Sequence, residues 1–307
     1  MDYILQTNRL TKNIKRKEIV SDINIHIKKG EIYGFLGQNG AGKTSIMKML
    51  TGMTRPTKGE ILLFNEILTE KSKTLLTRMG SIIEYPVFFE HLTAMDNLKM
   101  HCEYLGFYDE YDMKQALQLV SLNGVEDKVV KEFSLGMKQR LGIARAIITK
   151  PELVILDEPT NGLDPIGIKD MRHLIRMLNK EYGMTFVLSS HILGELEQMV
   201  DRVGVIHQGT LLNEITLEDI RKARTDYIEL IVTDIKQTVY LLEKKLHITN
   251  MKIMQDRTIR IYDMTYTQSD ISKMLIMHEI GIEEMRKHSN TLEDYFYQQI
   301  IGSGLDD

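Results

Sequence analysis

Residues Gly37-Gln38-Asn39-Gly40-Ala41-Gly42-Lys43-Thr44 match G-x-x-x-x-G-K-[ST]. The apolar run Ile32-Tyr33-Gly34-Phe35-Leu36 before them reads as a strand, and Ser45-Ile46-Met47-Lys48-Met49-Leu50 after them reads as a helix. A strand, a glycine-rich loop and a helix in that order point to an α/β core with the loop wrapped around an anion. Glycines let successive backbone N–H groups turn toward one ligand, and the helix N-terminus adds roughly half a positive charge. In such a loop Lys43 reaches the outer phosphates of a nucleotide and the Thr44 hydroxyl takes a place on Mg²⁺.

A chain of 307 residues, 43% hydrophobic and 27% charged, is long enough for one large folded unit and a smaller one. Its net charge of −4 offers no general attraction to a phosphodiester backbone, so nucleic acid is not the expected partner. The acidic excess falls after residue 226, which hints at a second unit. Cys102 is the single cysteine, which excludes an internal disulfide and fits a reducing compartment. No run of about 18 apolar residues and no basic-then-apolar leader occur, so the chain is expected to stay out of the bilayer.

Residues 3–36 read as short strands with Ile19, Ile23, Ile25 and Ile27 at alternating positions. The cluster Lys12, Lys15, Arg16 and Lys17 reads either as a solvated turn or as the edge of a nucleotide site. Strands follow at Glu60–Phe64 and Gly80–Ile83. From Thr93 to Lys131 the spacing turns helical through Met95, Leu98, Met100, Leu105, Met113 and Leu117, which predicts an inserted helical subdomain at about 88–150. Tyr85, Phe88 and Phe89 ahead of it are either core or a docking groove.

Ser134 stands at an N-cap position before the apolar-periodic Leu141, Ile143, Ala144, Ile147 and Ile148. Leu153-Val154-Ile155-Leu156 suits a strand buried on both faces, and Asp157-Glu158 then lie at its C-terminal end, where open α/β sheets bind ligands. Gly162-Leu163-Asp164-Pro165 reads as a turn before a helix at 167–181, and the strand Met184–Leu188 ends in Ser189-Ser190-His191 at the same sheet edge. Residues 227–307 read as βαββαβ plus a final helix at 292–301, a ferredoxin-like α+β order, with Tyr227, Tyr240, Tyr262 and Tyr295 as packing positions.

Taken in order, the phosphate loop, FSLGMKQR, LVILDEP, NGLDP and SSH resemble the ATP-binding subunit of an ABC transporter. The stretches GFLGQNGAGKT, IIEYP, FSLGMKQRLGIARA and LDEPTNGLDPIGI are most similar to the bacitracin-resistance and lantibiotic-immunity ATPases. The superfamily resemblance covers about residues 1–220, and the narrower one extends weakly through Ser289–Phe296. It implies a P-loop cassette over 1–222, a RecA-like mixed sheet with a helical subdomain, followed by an accessory domain over 227–307 that regulates or supports a dimer.

The resemblance also implies site roles. Gly37, Gln38, Asn39, Gly40, Ala41, Gly42, Lys43, Thr44 and Ser45 would hold the phosphates of ATP, and Thr44, Asp157 and Glu84 would face Mg²⁺. Glu158 would deprotonate or polarise the attacking water, with His191 and Lys43 completing the catalytic set. Ser134 and Gly136 would serve the γ-phosphate of a second copy, with Asp164 near the seam of a head-to-tail homodimer. The implied function is to power a separate membrane permease, from the cytoplasmic face, for export of a peptide antibiotic. A ribosome- or DNA-bound ABC clamp is the alternative, but such proteins usually carry tandem cassettes or long coiled coils, and this chain has neither.

Four positions depart from the wider pattern. Glu84 stands where most cassettes have glutamine, as in the lantibiotic-immunity group, and Leu135 and Met137 replace glycine and glutamine. Ile14 aligns with the usual adenine-stacking aromatic, which leaves ATP against GTP open.

Overall fold

The computed structural model describes residues 2–106, 109–219, 226–254 and 257–288. The helix expected at 292–301, Tyr295 and the weak similarity through Ser289–Phe296 lie outside these residues. The chain divides into two compact units, Met1–Leu217 and Glu218–Asp307.

The first unit opens with β1 (Tyr3–Ile14), β2 (Lys17–Ile23), β3 (His26–Lys28) and β4 (Ile32–Leu36), followed by the helix α1 (Lys43–Leu50). Next come β5 (Lys58–Leu63), β6 (Glu66–Ile67), the short α2 (Lys73–Leu76) and β7 (Met79–Ile82). Three helices follow, α3 (Ala94–Leu105), α4 (Glu110–Leu119) and α5 (Leu135–Ile147). The unit closes with β8 (Leu153–Leu156), α6 (Pro165–Tyr182), β9 (Thr185–Ser190), α7 (Leu193–Leu196), β10 (Arg202–His207) and β11 (Thr210–Thr216).

Two sheets result. One is antiparallel, in the order β2-β1-β5-β6 with β3 also paired to β1. The other runs β11-β10-β4-β9-β8-β7, parallel from β10 to β7 with an antiparallel β11 at its edge. Every residue of β4, β8 and β9 is buried, as two covered faces require, which is why these strands read as unbroken apolar runs. Leu5, Leu10, Ile23 and Ile27 of the antiparallel sheet join Tyr33 and Phe35 of β4 and Ile46 and Met47 of α1 in one core. Each such aliphatic side chain stabilises the fold by about 1.5–3 kcal/mol.

The helices between β7 and β8 start where their caps dictate. Thr93 accepts from the Asp96 N–H, Asp109 from the N–H groups of Tyr111 and Asp112, and Ser134 from that of Met137. Met95, Leu98, Met113 and Leu117 are buried as their spacing predicts, but Met100 and Leu105 are 41% and 39% exposed. The buried stripe of α3 steps from Leu98 to Cys102, and Met100, two residues on, falls on the outer face. The helix expected at 167–181 begins two residues earlier, because the Asp164 carboxylate accepts from the Gly167 N–H and Pro165 fits the first turn.

In the second unit, β12 (Tyr227–Val232), β13 (Met251–Ile253), β14 (Thr258–Ile261) and β15 (Ile282–His288) form an antiparallel sheet in the order β13-β14-β12-β15. Helices Ile235–Lys245 and Gln268–Met277 pack Leu241, Leu242, Ile271 and Leu275 on Ile228, Leu230 and Ile259. This is the ferredoxin-like arrangement. Tyr227 stacks on His288 at 4.9 Å and lies 5.7 Å from Tyr262, whereas Tyr240 is 60% exposed and does not pack.

Candidate functional site

Because β4, β9, β8 and β7 are parallel neighbours, the segments that follow them emerge at one edge of the sheet. The phosphate loop follows β4, Asp157 and Glu158 follow β8, His191 follows β9, and Glu84 comes two residues after β7. Sequence-distant groups are thereby brought to one place.

Gly42 takes a left-handed φ of 108° at the start of α1, a conformation open to glycine, and no side chain caps the helix there. The first N–H groups of α1 therefore remain free to face an anion. Gln38, Asn39 and Gly40 are exposed, and Lys43 is only 5% exposed. Its Nζ donates to the carbonyls of Gly37 at 2.7 Å and Gln38 at 3.3 Å and sits 3.2 Å from Glu158 Oε1. The cation thus occupies the loop it would share with a phosphate.

Thr44 Oγ1 donates to Asp157 Oδ2 at 2.8 Å, and Ser189 Oγ donates to Asp157 Oδ1 at 2.6 Å. The same Ser189 hydroxyl accepts from the Glu158 N–H at 2.8 Å. Asp157 is buried, and its two carboxylate oxygens face these neutral hydroxyls. A carboxylate and a hydroxyl side by side are hard oxygen donors of the kind a small divalent cation takes. Glu158 has a left-handed φ of 48°, and its other oxygen lies 2.8 Å from His191 Nδ1. One carboxylate therefore bridges the loop lysine and an exposed histidine, a placement suited to gripping a proton or a water molecule.

Ser134, Gly136 and Asp164 are drawn together elsewhere. They line a hollow of about 410 Å³ between the starts of α5 and α6, with Leu135 and Ile166 exposed at its rim. Among the described residues no hydrogen bond or ion pair joins them to Gly37–Thr44. The Glu84 Oε1 pairs with Lys48 Nζ at 2.6 Å, and no hydrogen bond among the described residues joins it to Thr44 or Asp157. The described residues contain no group of three or more His, Cys, Asp or Glu able to hold a metal by themselves.

Two contributors escaped sequence reasoning. Ser189 was visible only as part of a strand end, although the β8/β9 register, Leu156 opposite Leu188, places it beside Asp157. Lys48 had no sequence signal beyond its place one helical turn after Thr44. The basic hairpin resolves toward solvent: Lys15 and Arg16 have φ of 48° and 67° at an exposed turn, and Lys12 Nζ donates to the Arg55 carbonyl at 2.5 Å. Ile14 at that hairpin is 47% exposed.

The family model described as ABC transporter matches residues 20–161. Over 305 residues, 99% of each chain, the protein is 54% identical to the uncharacterized ABC transporter ATP-binding protein YcbN of Bacillus subtilis (strain 168). It is 44% identical, over 99% of each chain, to the bacitracin transport ATP-binding protein BcrA of Bacillus licheniformis. Among solved structures, cbiO1 from Clostridium perfringens, part of the ABC transporter complex cbiONQ, superposes with a TM-score of 0.67 at 25% identity, covering 80% of this chain and 97% of that one. The chain belongs to the ABC transporter ATP-binding family, whose nucleotide-binding cassettes hydrolyse ATP.

Proposed function

We propose that this protein is the ATPase subunit of an exporter that moves a peptide antibiotic of the bacitracin or lantibiotic type, docked on the cytoplasmic face of a separately encoded permease. The observation that carries the catalytic reading is the Glu158 carboxylate held between Lys43 and His191 beside the Thr44–Asp157 pair. The end-to-end similarity to a bacitracin transport protein supports the cargo class and speaks against a ribosome- or DNA-bound clamp. No helix among the described residues is long and apolar enough to cross a membrane, which accords with a permease on another chain.

In this reading the free N–H groups of the loop and Lys43 bind the ATP phosphates, and Thr44 and Asp157 hold Mg²⁺, for which their oxygens are fitted. The metal supplies charge neutralisation on the outer phosphates when bound. Lys43 leaves Glu158 for the phosphates, which frees a carboxylate to take the proton of the attacking water while His191 orients it. Ser134, whose hydroxyl caps α5, and the Gly136 N–H complete the site of a second copy in a head-to-tail homodimer, with Asp164 shaping the seam.

The Gly136 position supports the dimer reading. A Cβ added there meets nothing nearer than Leu163 Cδ2 at 3.7 Å, so the chain itself gives no steric reason for glycine. Gly136→Ala should keep the wild-type melting temperature while ATP-dependent dimerisation and turnover fall by about 10-fold or more, the scale set by roughly 1.4 kcal/mol of lost contact. Size-exclusion chromatography with ATP and a phosphate-release assay check this; unchanged dimerisation would remove Gly136 from the interface.

The docking surface is the loop after β7. Tyr85, Val87 and Phe89 are 62%, 79% and 60% exposed, the outcome that favours a groove over a core. Arg145 braces the loop from below: its Nη1 donates to the Val87 carbonyl at 2.8 Å and its guanidinium lies 4.8 Å from the Phe88 ring. Nearby His101 is held down to about 4 by burial, with Arg145 adding to the effect, and is uncharged at neutral pH. Co-purification with a multi-span membrane protein from the same cells tests the assignment; recovery only with ribosomes or nucleic acid would overturn it. Residues 227–307 are assigned an accessory, dimer-supporting or regulatory role; unchanged ATPase activity and self-association after their deletion would exclude it.

A further inference from the structure

Glu158 and His191 meet from two different loops, and the ladder beneath them ends early. Leu156 and Leu188 are the last residues of β8 and β9 paired with one another, so backbone pairing between the two chains stops before either functional residue is reached. Two side-chain hydrogen bonds cross the gap. One lies at the sheet end, where the Glu158 N–H donates to Ser189 Oγ at 2.8 Å. The other lies beyond the pair: Thr160 Oγ1, two residues after Glu158, donates to Glu195 Oε2, four residues after His191. Thr160 is 2% exposed, and Glu195 stands on α7 between Leu193 and Leu196, both buried, which seat the helix. Among the described residues the Thr160 hydroxyl is the one hydrogen-bond partner of the Glu195 side chain, and no cation pairs with it.

A hydroxyl that donates to a carboxylate makes a charge-assisted bond, roughly twice as strong as one between neutral groups. The buried Thr160 end shields it from water. Groups that move protons must be held to within about 0.5 Å, and a displacement of about 1 Å can cost 10²-fold in rate. A tie on the far side of the Glu158–His191 pair therefore bears on turnover without belonging to the phosphate loop. We infer that Glu195 is a positioning residue for hydrolysis: by accepting the Thr160 hydroxyl it fixes the segment after His191 against the turn after Glu158, and so keeps the imidazole at the carboxylate. The inference rests on the proposed role of Glu158 as the base.

The test measures kcat and KM for ATP hydrolysis by the full-length protein in saturating Mg²⁺. Glu195→Ala should lower kcat by about 10- to 100-fold and leave KM within about twofold, because Gly37–Thr44 and Asp157 are untouched. Glu195→Gln, whose amide oxygen still accepts from Thr160, should return kcat to within about threefold of wild type. Thr160→Val removes the donor but keeps the shape of the buried side chain, so it carries the test even where Glu195→Ala folds poorly. It should match Glu195→Ala, and the two substitutions together should cost no more than either alone. Added to Glu158→Gln, where the base is already gone, Glu195→Ala should lower turnover by less than about twofold. A kcat within about twofold of wild type in Thr160→Val would overturn the inference. So would a Glu195→Ala loss that Glu195→Gln does not restore, or one that persists in full on top of Glu158→Gln. Turnover in Glu158→Gln alone within about tenfold of wild type would instead overturn the reading of the base itself.

Discussion

Glu158→Gln should lower steady-state ATP turnover by about 10²–10⁴-fold, the range for loss of a positioned general base, while ATP binding survives. The substitution preserves the size of the side chain and its hydrogen bond to His191 Nδ1 but removes the charge that holds Lys43. Lys43 is almost fully buried, and without Glu158 it keeps only the carbonyls of Gly37 and Gln38. A phosphate then no longer has to break an ion pair to reach it. The variant should accordingly bind ATP up to about tenfold more tightly than wild type and accumulate as the dimer, a difference of roughly 1.4 kcal/mol. Equilibrium binding with a fluorescent analogue, phosphate release and size-exclusion chromatography in ATP separate the three effects. Turnover within tenfold of wild type would take the base role away from Glu158.

The second large effect concerns the fold. Gly80 of β7 lies against α5, where an added Cβ would come to 2.0 Å from the carbonyl oxygen of Ala146 and 2.8 Å from its carbon. Both are backbone atoms of a packed helix, so no side-chain rotation relieves the overlap. Gly80→Ala should therefore destabilise the first unit by about 2–3 kcal/mol, the upper range for overpacking. At about 2–4 °C per kcal/mol for a unit of this size, the melting temperature should fall by roughly 4–12 °C. Because α5 begins at Leu135, directly after its cap Ser134, the shift should also reach the turn proposed to meet a second copy. The contrast with Gly136→Ala is the informative part: one alanine is expected to cost stability, the other only assembly. Calorimetry of the two variants side by side decides it, and equal melting temperatures would show that α5 yields at Ala146.

Much of this was legible in the chain itself. Runs such as Leu153–Leu156 announce a strand covered on both faces, and a glycine-rich loop between strand and helix has few other uses. The βαββαβ order of the second unit followed from alternation alone, and β12–β15 pair accordingly. What stayed hidden depends on register and reach. Ser189 meets Asp157 only through the β8/β9 alignment. Glu84 was expected to face a cation, but a long side chain chooses among partners by local geometry, and Lys48 holds it in this structure. The solvent-facing turn of Met100 and the exposure of Tyr240 show the same limit: apolar identity does not say which way a residue points on a surface helix.

The place of β4 in the parallel sheet has a bearing on biosynthesis. Its two neighbours are β9 and β10, both of which come about 150 residues or more later in the chain. A nascent chain that has passed β4 but not yet made β9 therefore carries an apolar strand with both edges unpaired, a template for intermolecular association. Sensitivity to chaperone supply during translation, and poor yield of fragments that end before β9, are built into this strand order.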